Sequence, residues 1–512
     1  MARKMSSLTA LACGLLLFST AARSEQAAAA DPQQQRLDEL RAMKKDMARM
    51  MRAYEGRINK LEAEMKEQKE TSAKLAAAKP APASPAPDPI AIAEAQPVPP
   101  RAKSDDENLP EALRGWGSYD AGDGFVLVRG KSGEIDARLI AYMRYLNQTG
   151  LDSQYTDSFG RTFPLHLRPD FQWNKVNLSF KGWLFDPKFT YRVWVWTQQP
   201  AMGEGAQVVV GGQLGYQFND YFNLYAGIAP LPSTRSTNWT YPFWLKMDNR
   251  TIADEFFRAS YSQGVWADGK ILDDVDYRVM VANNLSALGV AASQLDAEIN
   301  TFSGAIWWMP TTGEFGPAIG FGDFEGHEKL ATLFGVHYTR SREDKQSQPN
   351  ADDIENSQIR LSDGTLLFSP NAFDTGGQVN KATYQMADLD WGFKYRGFSL
   401  EGEYYFRWVN DFDTTGFIPV SSLFDHGFQL QASTMLLRDT LQFYASGSKL
   451  FGQYGNPWDL TLGLNWYPFL RREMHVNLQG IYMRRSPVGG LSYPYQVGAN
   501  GWIFNTDIIV TF

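Results

Sequence analysis

From about residue 115 to the C-terminus, apolar and polar residues alternate along the chain with a period of two. Residues 135–145, 175–184 and 189–196 each carry aliphatic or aromatic side chains at most alternate positions of one face. The other face holds mainly polar or charged side chains, with Trp194 and Trp196 in the third run. Residues 275–281 and 400–408 repeat the pattern. Alternation of this kind indicates strands whose two faces meet different environments. Its recurrence predicts an all-β transmembrane barrel of antiparallel strands over residues 115–512.

The number of alternating runs predicts about sixteen strands, enough to leave an aqueous channel inside the barrel. Short turns at 185–187 and 219–220 are expected on the periplasmic side, and the long polar stretch 341–381 on the extracellular side. The last run places five side chains on one face: Trp502, Phe504, Ile508, Val510 and Phe512. A final strand that ends in an aromatic residue resembles the recognition signal of outer-membrane barrels. We therefore expect the barrel-assembly machinery to bind through Phe512.

The N-terminal part follows a helical pattern instead. Between Gln33 and Leu75, apolar residues recur at steps of three and four in a background of Ala, Glu, Lys and Gln. This predicts a periplasmic coiled coil over 33–78, although a single amphipathic helix on a surface would share the pattern. Residues 79–114 are rich in Pro and Ala at first and polar later, which predicts an extended linker.

The first 24 residues have the order of a cleaved secretory signal: a basic start, a short apolar run and small residues. Cleavage after Ala22 and cleavage after Ser24 both fit. The single cysteine, Cys13, lies inside the apolar run, which continues beyond it and so does not favour a lipoprotein. The mature chain then lacks cysteine, which excludes disulfides, thiolate metal sites and cysteine-attached haem.

Composition agrees with a barrel without proving one. Aromatic residues make up 14% of the chain, there are 44 glycines, and no run after the signal approaches the length of a membrane helix. A large secreted all-β protein would share these totals. The signal and the barrel pattern together predict an outer-membrane protein of the Gram-negative type, with lipid around the barrel and the N-terminal extension in the periplasm.

The stretch that begins at Gly212 (GQLGYQFNDYFNLYAGIAPLPSTRSTN) resembles the phosphate-selective porin O and P family. The shared features are a strand, a short turn, and a strand that ends in Gly-x-x-Pro before an inserted loop. The downstream segment FFRASYSQGVWADGKILDDVDYRVMVANN is similar to the hairpin of that family around a ligand-facing region. The resemblance implies a homotrimeric porin with loops folded into the lumen and basic residues that concentrate anions, phosphate among them.

Charged residues on the polar faces of the strands are the candidate functional residues. The first three long strands direct five basic side chains into the lumen: Arg138, Arg144, Lys175, Lys181 and Arg192. Later strands direct acidic side chains inward, Glu401 and Glu403 among them, together with Asp388 and Asp390. Arcs of opposite charge would select small polar or ionic solutes. The simpler interpretation is that these charges only keep a wet lumen soluble, or pair with one another.

The segment 231–254 is too long for a periplasmic turn and is rich in aromatic residues. We expect it to fold inward and narrow the channel, with Arg235, Lys246 and Arg250 as candidate contacts; packing at a subunit contact is the alternative. The net charge of −8 argues against a strong anion trap.

No enzyme motif accompanies these features. The five histidines are scattered without paired ligand spacing, so the sequence predicts no metal, no cofactor and no catalytic residue, and nothing indicates nucleic-acid binding. A second function class is mechanical: the coiled coil and linker would tether the barrel to peptidoglycan. Both functions could coexist in one chain.

Overall fold

The computed structural model of the chain describes residues 44–45, 119–120, 124–198, 207–238, 243–246, 250–286, 299–345, 358–490 and 494–511. The chain divides into two compact units, residues 1–100 and residues 101–512, and every strand among the described residues belongs to the second. The predicted signal peptide (1–24), coiled coil (33–78, apart from residues 44–45) and linker (79–114) lie outside the described residues, as does Phe512. They stay predictions.

The second unit is built almost entirely of β-strands. In chain order they are β1 (Tyr119–Asp120), β2 (Gly124–Gly130), β3 (Gly133–Leu151), β4 (Gln154–Thr156), β5 (Thr162–Pro164), β6 (Pro169–Leu184), β7 (Asp186–Gln198), β8 (Gln207–Asn219), β9 (Phe222–Pro230), β10 (Tyr261–Leu272), β11 (Val275–Asn283), β12 (Thr301–Trp308), β13 (Ala331–Asp344), β14 (Gln378–Tyr395), β15 (Phe398–Thr415), β16 (Leu423–Leu437), β17 (Leu441–Phe451), β18 (Trp458–Trp466), β19 (Met474–Arg484) and β20 (Gly501–Thr511). Within the described residues of this unit, an α-helix, α1 (Ile252–Phe257), and two 3₁₀ turns, Arg235–Thr237 and Pro317–Ile319, lie in connections between strands.

Strand pairing closes the sheet into a barrel. Strand β3 and strands β6 to β20 each pair antiparallel with the next, and β20 returns to pair with β3. This makes sixteen strands and confirms the predicted barrel. The short strand β2 pairs with the first residues of β3, next to the end of β20. Strands β4 and β5 form a separate hairpin in the connection that follows β3.

The two ends of the barrel differ in the length of their connections. At one end, here called the turn end, five of the seven connections contain one to three residues: 185, 220–221, 273–274, 396–397 and 438–440. Arg396 and Gly397 form such a turn with φ angles of 48° and 83°, the left-handed geometry of tight hairpins. The other end, the loop end, carries the long connections 231–260 and 345–377.

The predicted long stretch 341–381 is therefore shorter at both sides in the structure. Strand β13 continues to Asp344 and β14 begins at Gln378. Ser341 and Glu343 are buried on the inner face of β13. Polar residues are normal on the inner face of such a barrel, so their presence does not mark the end of a strand.

Apolar residues face outward from the barrel and polar residues face inward, as the alternation predicts. On β18, Leu460 and Leu462 are exposed at 45% and 49%, whereas Asp459, Thr461 and Asn465 between and beside them are buried. The same division holds over most of β15, whereas the inner face of β11 also carries the buried apolar residues Met280 and Ala282. Among the described residues, no helix is long and apolar enough to cross a membrane.

The outer surface is arranged in bands. Exposed aliphatic residues form a central band that includes Val210, Val265, Val279, Val336, Leu389, Leu430, Leu462 and Leu478. Exposed aromatic residues lie towards the turn end (Tyr216, Phe218, Phe222, Trp308, Phe334, Tyr395, Phe398 and Trp466) and towards the loop end (Phe171, Trp173, Phe302, Trp408, Phe424 and Trp502). An apolar band between two aromatic girdles is the outer surface of a transmembrane barrel.

Candidate functional site

The connection between β9 and β10, residues 231–260, folds into the barrel and crosses its interior. Its helix α1 is buried throughout and packs against β16, β17 and β18. The amide of Ala253 donates to Ser448 Oγ (3.1 Å), and Thr251 Oγ1 donates to Gln429 Oε1 (3.0 Å). Because β10 and β17 are seven strands apart in a barrel of sixteen, these contacts lie nearly opposite the origin of the segment. Residues 231–260 are called the inserted segment below.

Arg235 anchors the first part of the inserted segment. It begins a 3₁₀ turn that Thr234 caps, and its side chain is fully buried. Its Nη2 lies 2.6 Å from Glu401 Oε2 on β15, and its guanidinium lies 4.2 Å from the centre of the Phe321 ring. Asp390 and Glu403 are 3.9 Å and 4.0 Å away. One cation therefore faces three carboxylates from two neighbouring strands.

Lys246 anchors the second part. Its Nζ lies 2.9 Å from Tyr495 Oη and 3.5 Å from Asp459 Oδ2 on β18. Burial lowers the pKa of Lys246, and the Asp459 carboxylate opposes that shift. A buried lysine of this kind depends on its carboxylate partner, because a buried charge without one is costly. Lys246 thus ties the segment to the wall opposite β9 and β10.

Arg250 and Asp254 complete the charge pattern of the inserted segment. The guanidinium of Arg250 lies 4.3 Å from the centre of the Trp244 ring and 3.8 Å from Asp254 Oδ2. Ser236 Oγ donates to Asp254 Oδ1 at 2.8 Å. Burial raises the pKa of Asp254, and the Arg250 charge counteracts part of this effect. The 3₁₀ turn and α1 are therefore held together within the segment.

A second connection enters the barrel from the turn end. Residues 309–330 join β12 to β13, and the amide of Phe321 donates to the carbonyl of Phe243 in the inserted segment (2.8 Å). Lys394 on β14 donates to the carbonyls of Phe315 (2.7 Å) and Gly320 (2.6 Å). The two connections thus meet inside the barrel and fill the space along β14 to β18.

The opposite side of the interior is more open. Arg138 on β3, Lys181 on β6 and Arg192 on β7 face inward and are only half-buried. Lys181 and Arg192 are direct cross-strand partners, and Lys181 also pairs across with Asp136. Lys181 and Arg192 therefore lie in a part of the interior that is only partly buried, whereas Nε and Nη2 of Arg138 are themselves buried.

Two members of the predicted basic arc are placed differently. Arg144 is buried, and its Nε lies 2.7 Å from Asp507 Oδ1 on β20, so its charge is neutralised within the wall. Lys175 is also buried, with Nζ 4.8 Å from the centre of the Trp196 ring. Sequence alternation assigns a residue to the inner face, but cross-strand partners decide whether its charge reaches the channel.

The acidic candidates are covered rather than open. Glu401 and Glu403 face inward from β15, yet both are buried, and so are Arg235 and Lys246, which were expected to line the channel. The inserted segment is the reason, since its basic side chains lie directly on the acidic wall. Arg250 has a side chain exposed at 10%. The charges of these five residues therefore lie in the contacts of the inserted segment and of the wall that it covers.

His337 on β13 is a site residue that the sequence did not reveal. Its Nε2 lies 2.7 Å from Asp390 Oδ2 and 3.7 Å from Asp388 Oδ2, all three residues being buried. His337 and Asp388 are cross-strand partners although 51 positions separate their numbers. Only the register between β13 and β14 would have shown from the sequence that His337 lies beside the two aspartates.

Comparison with models of protein families found none that matches this chain, and comparison with curated proteins found no matching sequence. Solved structures do match. An anion-selective porin from Comamonas acidovorans is 10% identical, with a TM-score of 0.46 over 74% of this chain and 100% of its own. OmpT of Vibrio cholerae is 10% identical (TM-score 0.43; 75% and 99% covered), and OprB of Pseudomonas putida is 9% identical (0.43; 75% and 94%). The resemblance to the phosphate-selective porin O and P family stays a prediction.

Proposed function

We propose that this chain is an outer-membrane porin, through which small polar solutes and ions diffuse passively. The barrel has sixteen strands, a number that leaves an aqueous lumen. Its outer surface has the apolar band and aromatic girdles of a membrane-spanning barrel, and its inner surface is polar. The inserted segment and residues 309–330 occupy one side of the lumen, so the channel is narrow and runs beside the other side.

The proposal for ion selectivity rests on the basic side chains along the open side of the lumen. Arg138, Lys181 and Arg192 are half-buried on three adjacent strands, whereas the acidic residues Glu401 and Glu403 are covered by Arg235. On these three strands, the three basic side chains are accompanied by the half-buried acidic ones Glu134 and Asp136. We infer from this a small excess of positive charge along the open side. Rings or patches of charge select ions in such pores. We infer a preference for small anions, with phosphate as a candidate solute.

Single-channel recording tests this proposal. The purified full-length chain is inserted into a planar bilayer, and the reversal potential is measured in a KCl gradient. We expect a reversal potential that favours chloride. In the triple variant Arg138→Gln, Lys181→Gln and Arg192→Gln, the permeability ratio of chloride to potassium, obtained from the reversal potential, should fall severalfold. The control is Arg438→Gln, which changes an arginine with a side chain 86% exposed beyond the barrel wall.

Added phosphate tests whether phosphate is a solute, separately from whether the channel prefers anions. Block of the chloride current by phosphate, weakened in the triple variant, would support phosphate as a solute. Cation preference in the wild type would refute the anion proposal and leave a general porin. Absence of any conductance would contradict the proposed porin function and would indicate that the two internal connections close the barrel.

We further propose that the chain forms a homotrimer in outer-membrane lipid. A groove of about 490 Å³ lies on the outer surface of β17 to β20, lined by Phe443, Leu462, Leu478 and Phe504. These side chains belong to the apolar outer band, and in a trimer a neighbouring subunit would cover them in place of lipid. Assembly through Phe512 and contact of the N-terminal extension with peptidoglycan stay proposals from the sequence. Cross-linking of the full chain and of a variant without residues 33–78 would test trimerisation.

A further inference from the structure

We propose that His337, Asp388 and Asp390 form a binding site for one divalent transition-metal ion inside the barrel wall. Their ligand atoms all lie within 4.8 Å of one another. His337 faces Asp388 across the β13–β14 pair, and Asp390 lies opposite Gly335 on the same inner face. A Cβ at position 335 would lie 1.8 Å from Asp390 Oδ2, so glycine leaves the room that this carboxylate occupies. The three residues are called the His-Asp-Asp site below.

Hydrogen bonding determines the state of the histidine ring. His337 Nδ1 lies 3.1 Å from the carbonyl oxygen of Pro232. A carbonyl oxygen accepts and cannot donate, so Nδ1 carries the proton. In the neutral ring, Nε2 is then a lone pair directed at Asp390 Oδ2 (2.7 Å) and Asp388 Oδ2 (3.7 Å). An acceptor facing two acceptors requires a metal ion or a proton between them, the proton being carried by the ring or by one of the carboxyl groups.

The carboxylate oxygens of Asp388 lack hydrogen-bond partners among the described residues. The residue is fully buried, and neither of its carboxylate oxygens accepts a hydrogen bond from the part of the chain that the structure describes. Asp390 Oδ1 is in the same condition, with Arg235 Nη1 3.9 Å away. Buried carboxylates are normally paired or coordinate metals. An unpartnered carboxylate directed at a histidine lone pair therefore points to a bound cation.

Local charge favours a divalent ion over a proton. Four carboxylates gather here, from Asp388, Asp390, Glu401 and Glu403, and Arg235 is the cation that contacts three of them. One added proton would neutralise one negative charge of this group. A divalent ion supplies twice the charge of the extra proton at the same place.

The donor set selects the class of metal. One imidazole nitrogen and two carboxylate oxygens suit zinc or a similar transition ion, whereas calcium and magnesium prefer oxygen ligands alone. Three protein ligands leave a further position for water or solute. The Nδ1–H donated to a backbone carbonyl is the usual outer-shell bond of a metal-bound histidine. Because that carbonyl belongs to Pro232, the ion would also hold the start of the inserted segment.

Zinc binding to the purified, tag-free full-length chain tests the site. After treatment with a chelator, the folded barrel is titrated with Zn²⁺ alone, and bound zinc per chain and the melting midpoint are measured. We expect about one tightly bound ion per chain, as in a single site with three protein ligands, and a rise of the melting midpoint. In Asp388→Asn and His337→Gln, the affinity should fall by more than about 100-fold, since ligands matter more than outer-shell partners.

A matched control is His327→Gln. His327 also lies between two carboxylates, with Nε2 3.0 Å from Glu314 Oε1 and Nδ1 on Asp323. There, however, Asp323 already accepts hydrogen bonds from the amides of His327 (3.2 Å) and Gly397 (2.7 Å). This variant should keep its zinc.

Three results would overturn the proposal. Unchanged affinity in Asp388→Asn, or loss of zinc in His327→Gln, would place the ion elsewhere. A wild-type barrel that binds no zinc would show that a proton holds the group together, and this result does not depend on any variant folding. Asp388→Asn keeps the shape of the side chain and removes a buried charge, so we expect its barrel to form. These experiments measure zinc binding and melting and not conductance. Their outcome therefore leaves the porin proposal to its own test.

Discussion

Replacement of Arg235 by alanine should release the inserted segment from the barrel wall. The guanidinium is fully buried, and it is the cation that contacts Glu401 at 2.6 Å and lies within 4.0 Å of Asp390 and Glu403. In Arg235→Ala these carboxylates would face one another without that charge. The variant also removes the contact between the guanidinium and the ring of Phe321 in residues 309–330.

The magnitude follows from the burial of the pair. A hydrogen bond to a charged group contributes about 1.5–3 kcal/mol. Removal of one partner of a buried ion pair costs about 3–5 kcal/mol, because the other charge stays buried without compensation. For a segment that can leave the wall, this energy shifts the ratio of attached to detached forms by about a hundredfold to a few thousandfold. Lys246 and α1 would then be the remaining anchors.

Unitary conductance in planar bilayers is the direct assay. We expect Arg235→Ala to show larger and noisier openings than the wild type, because a detached segment no longer narrows the lumen. The temperature at which the folded band is lost in electrophoresis should fall as well. Arg235→Lys should lie between the two, since lysine keeps the charge but not the forked geometry.

Arg438→Ala is the control for this experiment. Its Nε lies 3.6 Å from Asp439 Oδ2 on an exposed turn, and exposed ion pairs contribute about 0–1 kcal/mol. It should behave as the wild type. Wild-type conductance and wild-type melting in Arg235→Ala would refute the argument, because the segment would then be held without its buried cation.

Two further predictions concern the internal connections. In Lys394→Met, residues 309–330 lose two hydrogen bonds from a charged donor, each contributing about 1.5–3 kcal/mol; limited proteolysis should cut this connection faster than in Lys449→Met, whose lysine lies on the outer face of β17. Because burial raises the folded-state pKa of Asp254 above its ordinary value, the charged form is disfavoured and stability is lost as pH rises through that range. Acidification from about pH 7 to about pH 4 should therefore reduce unitary conductance by stabilising the attached segment, and Asp254→Asn should weaken this dependence; an equal response in both proteins would contradict it.

The sequence by itself was enough to predict the barrel wall. A side-chain period of two is a property of the strand backbone. The sequence of a strand therefore determines its apolar and its polar face without any knowledge of the strands with which it pairs. The runs at 135–145 and 400–408 accordingly lie on the faces that their alternation predicts. The strand number followed from counting these runs, because antiparallel neighbours joined by short turns pair in chain order.

Sequence reasoning also located the inserted segment, by its length and aromatic content, but not its contacts. Arg235 meets Glu401 over 166 positions of sequence. Such a pair depends on which wall the segment reaches, and alternation carries no information about that. The sequence analysis placed both residues at the channel, but it did not show that Arg235 would lie against Glu401 and that both would be buried.

Tertiary structure alone decided which inward charges reach solvent and which are buried. Arg138 and Arg144 share one face of β3, yet Arg144 pairs with Asp507 from the last strand while Arg138 stays half-buried. His337 likewise gained its two aspartates through the pairing of β13 with β14. The physical reason is common to both cases. Periodicity is local and sets the face of a side chain, whereas burial and charge pairing depend on strands and connections that are distant in the chain.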